Sequence, residues 1–344
     1  MIIKEGLTFD DLMLVPQYSM VKSRSNVDLS VELPKVLVKY NHPIIPANMA
    51  TIMGYDMAKY IYLSGGLGLI HRFMPKTEQL DILKRLEKEF DKGVWQYIGF
   101  SIGIKPEERE AADLLVKNGA KILCIDIAHA DSFGCIEMCH YISEKYPEIL
   151  LIAGNVATGK GAERLWGAGV DVVKCGIGAG SICSTRVETG NGVPQMTAIM
   201  DVYESKKKFE ELYKKKFYFI SDGGASKAGD FGKALCFADM VMAGNMFSST
   251  DQCPGEVIEL NGKKYKNYDG SSTYKLSRIE GVKTLSECKG PIELIFNRIK
   301  EGIQSCCSYQ GVDNLTDLKD NPMFVRITYS GWAESKPHDV NIIK

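Results

Sequence analysis

A glycine-rich loop that leads into a cysteine is the stretch of this sequence most suited to chemistry. It reads Gly176-Ile177-Gly178-Ala179-Gly180-Ser181-Ile182-Cys183-Ser184-Thr185-Arg186. Alternate glycines allow a tight turn and bring backbone N–H and C=O groups close to a ligand or an ion. Cys183 stands near Thr185 and Arg186, and a neighbouring cation favours the nucleophilic thiolate. The spacing is not that of the dinucleotide-binding G-x-G-x-x-G motif, because the third glycine comes one place early.

Eight short apolar segments recur along the chain and predict the strands that position this loop. They cover residues 43–49, 66–73, 96–103, 122–129, 150–156, 170–178, 217–224 and 239–247. Amphipathic helical patterns lie between several of them, at residues 76–90, 107–118, 134–145 and 159–166. Nearly continuous apolar strands that alternate with helices indicate a parallel sheet buried on both faces. Eight such units without a linker favour a closed (β/α)8 TIM barrel over an open doubly wound sheet, so residues 1–344 are predicted to form one domain.

The longest irregular stretches, residues 179–195 and 250–291, follow the sixth and eighth predicted strands. Barrel enzymes carry their active sites at these carboxyl ends, which favours a nucleophilic over a structural role for Cys183. Alternation around Asn261-Gly262 predicts a β-hairpin with a type I′ turn, so residues 250–290 are predicted as a hairpin and a short flap. Residues 26–33 are predicted as an edge strand or lid at the barrel bottom. Polar residues close the strands on one rim, namely Asn48, His71, Arg72, Asp126, His129, Asn155, Asp222 and Asn245.

Composition excludes several classes of function. The 42 basic and 43 acidic residues nearly cancel, so no global field favours nucleic acid or an anionic membrane. No apolar run is long enough to span a bilayer, and the first residues lack the apolar core of a signal peptide. Ten cysteines scattered through a large chain indicate reduced thiols and a cytoplasmic protein.

Two further patterns receive structural interpretations. Cys135, Cys139 and His140 could suggest a metal site, but i, i+4 spacing on an amphipathic helix is more often core packing. The lysines at 206–208 and 214–216 are interpreted as a solvated helix face rather than an RNA site.

The cysteine loop resembles the active-site loop of the inosine monophosphate dehydrogenase/GMP reductase family. Further matching stretches occur in the same order along nearly the whole chain, namely Leu7-Thr8-Phe9-Asp10-Asp11, Ala47-Asn48-Met49, Ala153-Gly154-Asn155-Val156, Ser221-Asp222-Gly223-Gly224 and Gly255-Glu256. Lys22-Ser23-Arg24 followed by Val27-Asp28-Leu29 is similar to the reductase branch in particular. The resemblance implies a TIM barrel that usually assembles as a homotetramer.

For both branches, the resemblance implies a cysteine attached to purine C2 and a hydride moved between C2 and a nicotinamide. The dehydrogenase hydrolyses the adduct with an Arg-Tyr pair on a mobile flap and normally carries inserted regulatory domains. The reductase expels ammonia from GMP and takes a hydride from NADPH, giving IMP. Residues 270–289 contain no Arg-Tyr pair, and the insertion is absent, which favours an NADPH-dependent GMP reductase of purine salvage.

Two alternatives remain. Residues 334–340 are similar to the end of bacterial dehydrogenases, so the first is a short inosine monophosphate dehydrogenase that converts IMP to XMP with NAD. The second is a catalytically silent nucleotide-binding barrel, against which the joint presence of Cys183, Thr185 and Glu280 counts.

The resemblance assigns roles residue by residue. Cys183 would attack C2, and Thr185 with Glu280 would assist proton transfer to the departing amine. Asp222 suits the ribose hydroxyls, because an ionised carboxylate accepts both of their hydrogen bonds. The positions assigned to the phosphate are Ser181, Gly223, Gly224 and Gly244, and the remaining substrate-binding positions are Asn245, Gly270, Ser271 and Ser272. The positions assigned to NADPH are Arg72, Asp126, Ile127 and Ala128, with Ser23 and Arg24 from a neighbouring subunit. The positions assigned to potassium are Gly178, Gly180, Cys183 and Arg186, mainly through backbone carbonyls.

Four positions depart from the family pattern. Ala50 replaces an Asp on the cofactor side, and Ala179 replaces a Pro in the glycine loop. Gly270 or Ser271, depending on the gap placed, replaces a Met beside the purine. Asn245, next to the phosphate glycine, is more similar to some dehydrogenases than to reductases.

Overall fold

Parallel strands, buried on both faces, form the centre of the protein. The computed structural model describes residues 3–270 and 282–337. Its central strands are β1 Ile44–Pro46, β2 Gly68–Ile70, β3 Ile98–Ile102, β4 Ile122–Asp126, β5 Leu150–Val156, β6 Val172–Cys175, β7 Tyr218–Asp222 and β8 Met240–Ala243. Each lies within one of the eight predicted segments, so the prediction of eight strands is confirmed within the described residues.

The strands pair in the order β1-β8-β7-β6-β5-β4-β3-β2, and every ladder is parallel. Pairing of the first strand with the last wraps the sheet around itself, and β1 and β2 flank the one gap in the ladder of the described strands. This arrangement confirms the TIM barrel and excludes the open doubly wound sheet. Since all eight strands run in one direction, their carboxyl ends meet at one rim.

Helices surround the barrel and occupy its loops. They are α1 Tyr55–Ser64, α2 Lys76–Glu89, α3 Glu107–Lys117, α4 Phe133–Lys145, α5 Gly159–Gly167, α6 Thr185–Thr189, α7 Gln195–Tyr213, α8 Ala228–Leu235, α9 Ile292–Tyr309 and α10 Tyr329–Glu334. The predicted stretches at 76–90, 107–118, 134–145 and 159–166 coincide with α2 to α5. Cys135 and Cys139 are fully buried on α4, which confirms core packing there. Among the described residues, no helix is both long and apolar enough to cross a membrane.

An antiparallel sheet extends the chain beyond β8. The strands β9 Ile258–Leu260 and β10 Lys263–Asp269 form the predicted hairpin, and β11 Lys283–Glu287 pairs with β10. Asn261 and Gly262 have φ values of +51° and +73°, as a type I′ turn requires. The sequence did not predict β11, since the short alternation of polar and apolar residues there is a weak signal.

Short pairings join the termini to the barrel. Leu12–Leu14 pairs with Phe324–Arg326, and Val31–Glu32 pairs with Lys39–Tyr40. The stretch 26–33 predicted as an edge strand or lid therefore contains a two-residue strand.

A buried ion-pair network fastens α7 to the start of β8. Asp239 accepts hydrogen bonds from Lys206 at 3.1 Å and from the backbone N–H of Phe219 at 2.8 Å, and it also pairs with Lys319. Lys206 is only 7% exposed. The interpretation of residues 206–208 as a solvated face is therefore wrong for Lys206, because helix periodicity turns this one lysine toward the barrel. Burial raises the pKa of Asp239, but the two lysines outweigh it and hold that pKa below its usual range.

We expect Asp239→Ala to lower the free energy of unfolding by about 3–5 kcal/mol, because it leaves two lysines without their buried partner. Glu287→Ala is the matched control and should cost no more than about 1 kcal/mol, since its bridge to Lys263 is exposed on both sides. Urea unfolding at neutral pH measures both. Because the pKa of Asp239 is lowered on folding, the stabilisation should be complete at neutral pH and lost in acid. Equal effects of the two substitutions would contradict the prediction.

Candidate active site

A cavity of about 730 Å³ opens at the carboxyl-end rim of the barrel. This volume suits a ligand of nucleotide size. The predicted site residues that line it are Arg72, Asp126, Ile127, Ala128, Gly178, Gly180, Ser181, Cys183, Thr185, Asp222, Gly223, Gly224, Gly244, Asn245 and Gly270. Residues from strand ends far apart in sequence thus line one cavity, as expected when the carboxyl ends of parallel strands meet at one rim of the barrel.

Cys183 lies in the wall of the cavity between β6 and α6. Its thiol is half-buried, and Sγ donates to Oγ1 of Thr185 at 3.2 Å. The backbone N–H of Cys183 donates to the carbonyl of Gly180 at 3.1 Å, which closes the loop into a turn. A partly exposed thiol beside a hydroxyl, in a cavity of this size, is a geometry suited to nucleophilic attack on a bound ligand.

Arg186 braces this loop from behind. Its guanidinium donates to the carbonyls of Val193 and, at 3.5 Å, Ile177, and its own carbonyl accepts from the N–H of Gly190 at 3.1 Å. A guanidinium has donors only, so this side chain cannot ligate a metal ion. The side chain of Arg186 therefore holds the loop, and ligation of potassium by its backbone carbonyl stays a prediction. A potassium ion at the carbonyls of Gly178, Gly180 and Cys183 stays a prediction.

A charged cluster, formed by Lys174, Asp126 and Asp222, occupies the floor of the cavity. Nζ of Lys174 lies 2.7 Å from Oδ1 of Asp126 and 3.2 Å from Oδ2 of Asp222. It also donates to Oδ1 of Asn48 at 3.4 Å, and Nδ2 of Asn155 donates to Oδ2 of Asp222 at 2.9 Å. The sequence analysis missed Lys174, because a lone lysine inside an apolar strand carries no motif.

The charges in this cluster stabilise one another. Burial raises the pKa of Asp126, but the ammonium group of Lys174 outweighs it and holds that pKa below its usual range. Burial lowers the pKa of Lys174, and the carboxylates of Asp126 and Asp222 outweigh it and hold the lysine pKa above its usual range. The ammonium and the Asp126 carboxylate are therefore both charged at neutral pH.

Tyr268 is a second residue that the sequence analysis missed. It lies on β10, is only 3% exposed, and lines the cavity together with Ser181. A Cβ at Gly244 would come within 2.7 Å of the Tyr268 hydroxyl, so glycine is required there for the close approach. Burial raises the pKa of the Tyr268 phenol, which keeps its proton. The hydroxyl is therefore a donor beside two positions, Ser181 and Gly244, that are predicted to bind phosphate.

The sheet of β9 to β11 rests against the cysteine loop. The N–H of Val282 donates to the carbonyl of Ile182 at 3.2 Å, and the N–H of Gly270 donates to the carbonyl of Val282. Below this sheet, Lys289 donates to the carbonyl of Asn245 and, at 3.0 Å, to Oγ of Ser248. These contacts tie the Asn245 side of the cavity and the cysteine loop to one flap.

Several predicted residues lie elsewhere. Ser23 and Arg24 are not in the cavity wall, and Arg24 donates to Oγ of Ser305 on α9 at 3.1 Å. His71 is buried near the rim with Nδ1 accepting from the N–H of Phe73, and burial lowers its pKa to about 4. Among the residues the structure describes, His129 is exposed outside the cavity wall. Glu280, Ser271 and Ser272 lie outside the described residues.

The cavity also fits a nicotinamide on its Asp126 side. Nε of Arg72 is a buried donor without a hydrogen-bond partner among the described residues, and Arg72 lines the same wall as Asp126, Ile127 and Ala128. An unpaired buried donor is costly unless a ligand accepts from it. The carboxamide or a phosphate of a dinucleotide supplies such acceptors. No group of three or more metal-binding side chains occurs within residues 3–270 and 282–337.

A half-buried thiol and a charged floor at the carboxyl-end rim of a parallel barrel define a TIM-barrel enzyme. The sequence-family model described as IMP dehydrogenase / GMP reductase domain matches residues 6–338 of this chain. The chain therefore belongs to the IMP dehydrogenase/GMP reductase family and is an oxidoreductase of purine nucleotide metabolism. The family acts on GMP or IMP with a nicotinamide cofactor.

Relatives carry both names. The inosine-5'-monophosphate dehydrogenase of Borreliella burgdorferi is 34% identical over 98% of each chain. That of Nitrosopumilus maritimus is 30% identical over 98% of this chain and 99% of its own. The GMP reductase of Ligilactobacillus salivarius is 35% identical over 90% of this chain and 93% of its own.

We expect Tyr268→Phe to weaken binding of GMP or IMP about 10- to 100-fold, because a hydrogen bond to a charged group contributes about 1.5–3 kcal/mol. Binding of guanosine or inosine, which lack the phosphate, should change little. Tyr265→Phe on the same strand is the matched control, since Tyr265 is outside the cavity wall. Isothermal titration calorimetry measures all three proteins. Equal losses for nucleotide and nucleoside would show that Tyr268 does not serve the phosphate.

Proposed function

We propose that this protein is an NADPH-dependent GMP reductase, which converts GMP to IMP and ammonia through a covalent adduct of Cys183 at purine C2. The observation that carries the choice of branch is that the chain contains no Arg-Tyr dipeptide, the pair that activates water in the dehydrogenase branch. Hydrolysis of an adduct needs a group that activates water, whereas reductive deamination does not.

The chain architecture supports the same branch. Between β2 and β3 the described chain has only α2 and the short helix Lys92–Gln96, which leaves no place for regulatory domains. The alignment with the Nitrosopumilus maritimus dehydrogenase spans 477 positions against a chain of 344 residues, so that relative carries segments this chain lacks. The alignment with the Ligilactobacillus salivarius reductase spans only 320 positions.

The first half of the reaction is deamination. The Cys183 thiolate forms a C–S bond at C2 of GMP, and the C2–N2 bond then breaks as the amine leaves. Because an amide anion is a poor leaving group, the nitrogen needs a proton. Thr185, whose hydroxyl accepts from Sγ at 3.2 Å, is placed to pass that proton, and Glu280 is the carboxyl group that supplies it.

The second half is reduction. When bound, NADPH would supply a hydride to C2. The C–S bond would then break, and Cys183 would be regenerated as a thiolate. The nicotinamide would be held by Arg72, Asp126, Ile127 and Ala128, which line the same cavity as the thiol. In the balanced reaction, GMP, NADPH and one proton give IMP, ammonia and NADP⁺.

Residues of the cavity floor and the flap bind the nucleotide. Asp222 accepts hydrogen bonds from the ribose hydroxyls. Donors at Ser181, Gly224, Gly244 and Tyr268 hold the phosphate. The N–H of Gly223 already donates to the carbonyl of Met242 at 3.1 Å, so Gly223 serves the turn. Asn245, Gly270, Ser271 and Ser272 complete the predicted substrate contacts.

We also propose a cytoplasmic homotetramer. In such an assembly Ser23 and Arg24 reach the cofactor of a neighbouring subunit, which is consistent with their distance from the cavity of their own chain. A potassium ion on the carbonyls of Gly178, Gly180 and Cys183 would order the cysteine loop.

A short IMP dehydrogenase is the second candidate. Residues 334–340 favour it, because they are similar to the end of bacterial dehydrogenases, and so does Asn245. In that case the same thiol would form the adduct with IMP, and a group other than an Arg-Tyr pair would activate water.

Paired assays decide between the branches. Purified protein with GMP and NADPH should oxidise NADPH and release one ammonia molecule for each IMP formed. The fall in NADPH absorbance at 340 nm and an assay of ammonia measure the oxidation of NADPH and the release of ammonia. Protein with IMP and NAD should give no NADH. Formation of NADH and XMP in the second assay would contradict the reductase proposal and support the dehydrogenase.

Cys183→Ser should reduce turnover at least about 1,000-fold, because loss of the covalent nucleophile removes both half-reactions. GMP binding should change far less, since the contacts with ribose and phosphate remain. Cys288→Ser is the matched control, because Cys288 is half-buried but does not line the cavity. Full turnover by Cys183→Ser would rule out the covalent mechanism in either branch.

A further inference from the structure

Lys174 is the only cation that bridges two cavity carboxylates in the described part of the chain, and the proposed reaction does not use it. Its side chain is 2% exposed. The pairing register aligns Lys174 with Gly154 of β5 and with Ile220 of β7, and it aligns Gly154 with Asp126. A Cβ at Gly154 would come within 2.4 Å of the Cβ of Lys174. The absence of a side chain at Gly154 therefore makes the room in which Lys174 lies.

Each N–H donor of the Lys174 ammonium group has an acceptor. An ammonium group has three N–H donors, and its three acceptors are Asp126, Asp222 and Asn48. On Asp222, Lys174 and Nδ2 of Asn155 both occupy Oδ2, at 3.2 and 2.9 Å. Oδ1 of Asp222 is thereby left for a ligand. Two donors on one oxygen fix the rotation of the carboxylate about its side chain.

We propose that Lys174 is a positioning residue for ribose recognition, which holds the carboxylate of Asp222 in the orientation that receives the hydroxyls of the nucleotide. The inference rests on the proposed function, because it takes a purine ribonucleotide as the ligand of Asp222. Through Asp126, the same ammonium group fixes the floor on the cofactor side. Lys174 acts through these two carboxylates and does not touch the reacting atoms.

A comparison with Lys206 separates this role from simple core stability. Lys206 is also a buried lysine paired with an aspartate, Asp239, at 3.1 Å, but neither residue lines the cavity. Replacing either lysine removes a buried ion pair. Only replacement of Lys174 frees the carboxylate of Asp222. A positioning role therefore predicts an effect on ligand discrimination that a loss of stability does not produce.

The experiment measures affinity for GMP and for 2′,3′-dideoxy-GMP by isothermal titration calorimetry, without cofactor, so that turnover does not enter. The variants are Lys174→Met and, as the matched control, Lys206→Met. We expect Lys174→Met to bind GMP at least about tenfold more weakly and the dideoxy analogue within about threefold of wild type. The ratio of the affinity for GMP to the affinity for the dideoxy analogue should therefore fall toward one. Lys206→Met should keep the wild-type preference.

A second variant covers failure of Lys174→Met to fold. Lys174→Met combined with Asp126→Asn removes one positive and one negative charge, so the floor keeps its net charge while Asp222 still loses its ammonium partner. This double variant should also lose the preference for GMP over the dideoxy analogue. A wild-type preference in either Lys174 variant would overturn the inference and leave the proposed function standing. Wild-type protein that binds neither GMP nor IMP would overturn the proposed function, and the inference with it.

Discussion

One ammonium group at the floor of the cavity makes the rest of the active site possible. Parallel strands bring Asp126 and Asp222 to the same rim, where their charges would repel each other in a space poor in water. Nζ of Lys174, 2.7 and 3.2 Å from them, supplies the opposite charge, and Asn48 and Asn155 complete the hydrogen bonds. A buried charge is tolerated when it is paired and hydrogen-bonded. The polar floor can therefore rest directly on an apolar barrel core.

The same barrel geometry positions the thiol. β6 carries Lys174 into the floor and then continues through the glycine loop to Cys183, so one strand and its loop supply both the buried charge of the floor and the thiol of the cavity wall. Arg186 braces the far side of the loop through the carbonyls of Ile177 and Val193. The loop is thus held between the barrel rim and α6, and small residues along it leave space for the ligand.

Sequence patterns predicted what depends on local order. The eight strands followed from continuous apolar runs, the hairpin from Asn261-Gly262, and the place of Cys183 in the cavity wall from the glycine loop. The position of Lys174 in the cavity floor was not predicted, because its carboxylate partners lie on β4 and β7 and become neighbours only through the register of the barrel. The position of Tyr268 in the cavity wall was not predicted for a similar reason, since an alternating strand does not indicate which of its two faces is directed at the cavity. Lys206 was assigned to solvent, because a run of lysines hides which one helix periodicity turns inward.

The flap links this geometry to the choice between water and hydride. An adduct at C2 can be attacked by either, so the branch depends on which one the site admits and activates. Here the N–H of Val282 donates to the carbonyl of Ile182, the residue before Cys183, and fixes the edge of β11 against the thiol loop. The chain has no Arg-Tyr pair to activate a water that reaches the thiol loop. Hydrolysis of the adduct needs such an activating group, whereas hydride transfer does not, and this difference is the ground on which a reductase is proposed.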